Sequence, residues 1–76
     1  MSQYDELLDV SGEACPMPLL KAKMALNKID PGKVLKVIAT DAGSVRDFSA
    51  FIKLTPHELE EDFSVEGMFV YYIKKH

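Results

Sequence analysis

Cys15 is the only cysteine of the 76-residue sequence, and it stands in the run Cys15-Pro16-Met17-Pro18 just ahead of a stretch with helical spacing. A thiol becomes a nucleophile as its thiolate, and a helix start favours the anion through unpaired N–H groups and the positive end of the helix dipole. One cysteine excludes a disulfide within the chain, a dithiol redox pair and a cysteine-rich zinc site. A cysteine hydrolase would need a paired histidine and an oxyanion hole beside the nucleophile. His57 falls at the start of a strand pattern and His76 ends the chain, so neither spacing suggests that pair. His57 reads as a surface or strand-entry residue. Cys15, His57 and the carboxylates show no recognised metal-ligand spacing.

The elements that must position Cys15 follow from periodicity. Leu7 to Val10 reads as a short strand ended by Ser11-Gly12, and the Cys15-Pro16-Met17-Pro18 run opens a helix reaching about Ile29. Proline suits the first helical turn, whose N–H groups lack intrahelical partners. Leu19, Ala22, Leu26 and Ile29 form one stripe, widened by Leu20, Met24 and Ala25. Asp30-Pro31-Gly32 stops the helix, and the β-branched run Val34 to Thr40 suggests a central strand. After the turn Asp41-Ala42-Gly43, Ser44 and Asp47 have the spacing of a capping box ahead of Val45, Phe48 and Ile52.

From His57 to Ser64 the residues alternate, which puts Leu59 and Phe63 on one face and Glu58, Glu60 and Asp62 on the other. Val65-Glu66-Gly67 connects tightly to a final strand over Met68 to Lys75, completing a hairpin. The acidic set, Glu61 included, reads as the solvated face of an edge strand. Met17, Met24 and Met68 read as packing residues, and alternation leaves one of Tyr71 and Tyr72 packed and the other toward solvent. The order β-α-β-α-β-β predicts a single α+β domain over residues 1–76. It is a two-layer sandwich, with a mixed four-stranded sheet and two helices on one face.

Parallel pairing of the first two strands through a right-handed crossover starts both helices at one sheet edge. Cys15 and Arg46 then share that edge despite their separation in sequence. Arg46 would favour a thiolate, whereas Asp9, Glu13, Asp41 and Asp47 would oppose it, and the sequence leaves the balance open. Cys15 as a small buried hydrophobe is the competing reading. Gly12 and the flanking prolines place it on a turn outside any apolar run, which predicts an accessible thiol.

Nine Lys plus Arg against twelve Asp plus Glu give a net charge of −3, with no basic stripe interleaved with aromatics. Direct nucleic-acid binding is therefore not expected. The polar start Met1-Ser-Gln-Tyr-Asp-Glu lacks the pattern of a secretory signal, and no apolar run reaches membrane-spanning length, so a cytoplasmic protein is expected.

The segments Leu8-Asp9, Gly12 and Cys15-Pro16-Met17-Pro18-Leu19-Leu20-Lys21-Ala22-Lys23 are followed in order by Ala25-Leu26, Pro31-Gly32, Asp41, Ser44-Val45-Arg46-Asp47 and His57-Glu58-Leu59. Together they resemble the TusA/SirA-like sulfur-carrier family over nearly the whole chain. The resemblance implies the same two-layer fold. It also implies that Cys15 accepts sulfane sulfur as a persulfide from a cysteine desulfurase or rhodanese-like donor and passes it to an acceptor protein. Relatives feed tRNA 2-thiolation, molybdenum-cofactor synthesis or sulfur oxidation, and some have been linked to selenium handling. Pro16 and Pro18 match the motif that shapes the helix start, while Lys21, Arg46 and Asp47 match polar positions suited to thiolate or partner contacts.

Two departures stand out: Pro56 occupies a position where relatives usually carry Gly, and the second helix has Phe51 and its neighbours where some carry a second cysteine. A single thiol suits sulfur relay, because a resolving cysteine would discharge the persulfide as a disulfide. The reading asks for no cofactor or metal, and a monomer suffices. The alternative is a small regulatory or binding module in which Cys15 is structural.

Overall fold

The computed structural model describes residues 3–76; Met1 and Ser2, the first two residues of the polar start, lie outside them. The elements run β1 (Glu6–Val10), α1 (Met17–Lys28), β2 (Val34–Ala39), α2 (Gly43–Lys53), β3 (Glu58–Val65) and β4 (Met68–Lys74). The sheet order is β1-β2-β4-β3, with β1 parallel to β2 and the other pairs antiparallel. The α+β sandwich expected from the pattern is the observed one. Its near-continuous apolar strand, β2, lies inside the sheet, with the acidic β3 at an edge.

Both helices cover the same face. Ala22 and Leu26 of α1 and Phe48 of α2 pack on Val10, Leu35, Val37, Ala39, Tyr71 and Ile73. The rings of Phe48 and Tyr71 stack with centroids 4.4 Å apart and planes 12° from parallel. Burial of such side chains supplies about 1.5–3 kcal/mol each, which a chain of this size needs to offset its ordering entropy.

Four expectations are corrected by the packing. The α1 stripe is narrower than its apolar residues suggest: Leu20 and Met24 are exposed, as is Met17, while Pro18, Ala22 and Leu26 are buried and Leu19, Ala25 and Ile29 pack partly against the core. The capping box does not form. Ala42 is the residue before α2 and no side chain caps it; Ser44 instead turns inward and is buried. Leu59 and Phe63 lie on opposite faces, since a β-bulge between Leu59 and Glu61 adds a residue and reverses the alternation. Leu59 therefore packs on the helix side, whereas Phe63 reaches Tyr72 on the other.

Tyr72, the fourth case, is buried along with Tyr71 rather than facing solvent. A second cluster of Val34, Val70 and Tyr72 forms on the helix-free face, with Ile38 against it. Tyr4 and Phe63 approach the Tyr72 ring at 6.3 and 6.4 Å, and Lys36 Nζ lies 5.6 Å from its centroid. Aromatic and lysine side chains thus roof the face that no helix covers.

The hairpin turn Glu66-Gly67 places both residues at positive φ, 50° and 80°, as a tight two-residue connection requires. At the opposite end of the sheet from the β2–α2 turn, Lys75 Nζ donates to the Ile29 carbonyl at 2.7 Å, supplying a cation at the α1 C-terminus.

Candidate functional site

The loop from β1 to α1 is held by three backbone N–H groups before it reaches the thiol. The Ser11 N–H donates to Asp9 Oδ1 at 2.9 Å, the Gly12 N–H to Thr40 Oγ1 at 2.8 Å, and the Glu13 N–H to the Val10 carbonyl at 3.2 Å. The Thr40 contact fastens this loop to the end of β2. Cys15 then lies in a turn, Pro16 adjoins the first helical residue Met17, and Pro18 is buried in the first turn. The Cys15–Pro16 peptide bond is cis.

Because β1 and β2 run parallel, the end of one leads to Cys15 and the end of the other to α2 at the same sheet edge. Cys15 and Arg46 share that edge, as the topology predicts. An open depression of about 550 Å³ is lined by Cys15, Ala42, Gly43, Val45, Arg46 and Asp47. The thiol is exposed. A Cβ at Gly43 would sit 2.9 Å from Asp41 Oδ2 in the same turn, too close, and 3.7 Å from Cys15 Cβ, an ordinary contact.

Cys15 Sγ donates to Asp47 Oδ2 at 3.1 Å. That hydrogen bond, then loss of hydration, then the charges of Asp47 and Asp41, push the thiol above its ordinary range. The balance left open by the sequence therefore falls to the carboxylates in the free chain. Asp41 Oδ2 is buried without a hydrogen-bond partner among the described residues. Arg46 lines the depression and forms no ion pair among the described residues. Lys21 is turned away to Glu13, with which it forms a salt bridge.

His57 sits at the other end of the sheet. It precedes Glu58, which pairs with Lys74 opposite Val34 at the start of β2, while Cys15 follows the end of β1. Its Nδ1 accepts the His76 N–H at 3.2 Å. No cysteine–histidine pair forms. Among the described residues no group of three or more His, Cys, Asp or Glu side chains is placed to hold a metal ion. No helix among them is long and apolar enough to cross a membrane.

The sequence places Val45, Arg46, Asp41 and Asp47 near the thiol but does not single out Ala42 and Gly43 as lining residues. Asp41-Ala42-Gly43 reads as an ordinary turn, and only its folded geometry shows that a Cβ at Gly43 would crowd the Asp41 carboxylate.

Residues 6–75 match the family described as Sulfurtransferase TusA. A sulfur carrier protein TusA from Allochromatium vinosum is 52% identical over 75 residues, covering 99% of each chain. A protein of the same description from Pseudomonas paraeruginosa is 38% identical over 71 residues, covering 93% of this chain and 90% of its own. Among solved structures, a SirA-like protein from Desulfitobacterium hafniense superposes with a TM-score of 0.80 at 22% identity, over 92% of this chain and 96% of that one. That structural likeness establishes the shared fold.

Proposed function

The chain belongs to the TusA sulfurtransferase family, and from that premise we propose that it is a sulfur carrier whose cargo rides on Cys15 as a persulfide. The observation that carries the reading is the exposed thiol at the shared start of two helices, in a shallow depression open to a partner surface.

Loading begins when the Cys15 thiolate attacks the outer sulfur of a donor persulfide. A new S–S bond forms at Cys15, the donor's S–S bond breaks, and the donor cysteine leaves as a thiolate. Cys15 sulfur is oxidised by the amount the donor sulfur is reduced, so no external oxidant enters. Unloading repeats the exchange toward an acceptor thiol. A carrier with one cysteine has no internal thiol to discharge the persulfide.

The donor is a cysteine desulfurase or a rhodanese-like protein, and the acceptor is a downstream protein of a relay such as tRNA 2-thiolation. The protein acts in the cytoplasm, as a monomer, without a cofactor of its own. Arg46 offers a cation to the anionic outer sulfur or to a partner, Asp47 contacts the resting thiol, and Lys21 braces Glu13 in the thiol loop.

A pulse and chase tests this reading. Protein loaded from a desulfurase with cysteine is freed of donor and offered candidate acceptor proteins. Sulfur should pass to an acceptor from wild type, while Cys15→Ser should carry none. Retention of the sulfur by wild type in the presence of every acceptor would count against a carrier.

A further inference from the structure

We propose that Asp47 is a positioning residue that holds Cys15 in its protonated resting form, so that the unloaded carrier reacts slowly with small electrophiles. The purpose rests on the carrier reading above; the contact itself does not. Cys15 Sγ donates to Asp47 Oδ2 at 3.1 Å even though the thiol is exposed and free to turn toward water. A hydrogen bond to a carboxylate needs the proton on sulfur, so the contact is lost with that proton.

The nearby carboxylates act in the same direction, against the cation of Arg46. From the β2–α2 turn, Asp41 adds a second negative charge. From the loop before α1, Glu13 is neutralised by Lys21 of α1, so that lysine is not available to the thiolate. Asp9, at the end of β1, is held by the Ser11 N–H. Arg46 of α2 is the one cation lining the depression among the described residues, and it leaves the Cys15–Asp47 contact intact.

Such a latch is useful to a carrier. A freely ionised thiol would oxidise or pick up adventitious electrophiles between partners, because the thiolate is the reactive form. Loading also dissolves the contact: once Sγ is bonded to a second sulfur it has no proton to donate, so Asp47 holds only the empty carrier.

Iodoacetamide alkylation across pH reads the thiolate population directly, the thiolate displacing iodide. Asp47→Asn removes the charge and should move the alkylation midpoint to lower pH. At about pH 7.5 its rate should rise at least about threefold, since thiolate fraction sets the rate below the midpoint. Asp47→Glu, which keeps the carboxylate, should restore a midpoint near wild type. Should Asp47→Asn fail to fold, wild type alone decides: its midpoint should lie above that of the same chain unfolded in urea.

An Asp47→Asn midpoint unchanged or raised would overturn the proposal, as would a wild-type midpoint at or below the unfolded one. Glutathione persulfide, tested separately by mass, distinguishes the two readings. If wild type shows the latch but never gains sulfur, the carrier reading fails and the latch stands.

Discussion

Ser44 Oγ and Tyr71 OH lie 2.9 Å apart in the core, tying the first turn of α2 to the inner strand β4 beneath the edge that carries Cys15. Ser44 is 1% exposed and Tyr71 3% exposed, so neither hydroxyl has water as a ready substitute. Ser44→Ala should cost about 1–3 kcal/mol by leaving a buried phenol unpaired. Removing both hydroxyls with Ser44→Ala and Tyr71→Phe should cost less than the sum of the single changes. Urea unfolding of the four chains measures the coupling, and strict additivity would mean that the contact does not tie the elements.

Phe48 carries the helix side of the same junction. It is fully buried and stacks on Tyr71 at 4.4 Å. Phe48→Ala should cost about 3–5 kcal/mol, a large share of what a domain this small has to lose, given about 0.05–0.15 kcal/mol per residue. The expected outcome is a sharply lowered thermal midpoint by circular dichroism. A midpoint within a few degrees of wild type would contradict the packing described.

Acid should weaken the chain through His57. Its folded value lies below the ordinary 6.5, first because burial disfavours the imidazolium and then because Lys75 and His76 repel it. Between the two values the unfolded state binds more protons, so stability rises with pH there. The contribution is complete above 6.5 and is lost as pH falls through the folded value. Protonation also removes the lone pair with which Nδ1 accepts the His76 N–H. Wild type should lose thermal stability from about pH 7 to pH 5, and His57→Gln should flatten that slope. Asp9, whose carboxyl is lowered by its Ser11 contacts, acts in the range below 3.8 and does not share the window. An equal slope in both chains would remove His57 from the account.

The element order and the shared edge of Cys15 and Arg46 were legible because they depend on periodicity and on the constraint that parallel strands impose on their crossovers. The faces of β3 were not, since alternation is reversed by a single bulged residue whose position depends on pairing with β4. Ser44 misled for a related reason: its spacing to Asp47 fits a cap, but Tyr71 offers it a buried partner and Cys15 engages Asp47 instead. Leu20 and Met24 show the remaining gap. An apolar residue beside a stripe is buried only if a second surface reaches it, and here none among the described residues does.

The central claim is a persulfide on Cys15, and intact-protein mass spectrometry after incubation with a cysteine desulfurase and cysteine tests it most directly. Wild type should gain the mass of a single sulfur atom, lose it on reduction, and show no gain as Cys15→Ser. No gain in wild type, or the same gain in Cys15→Ser, would contradict the account.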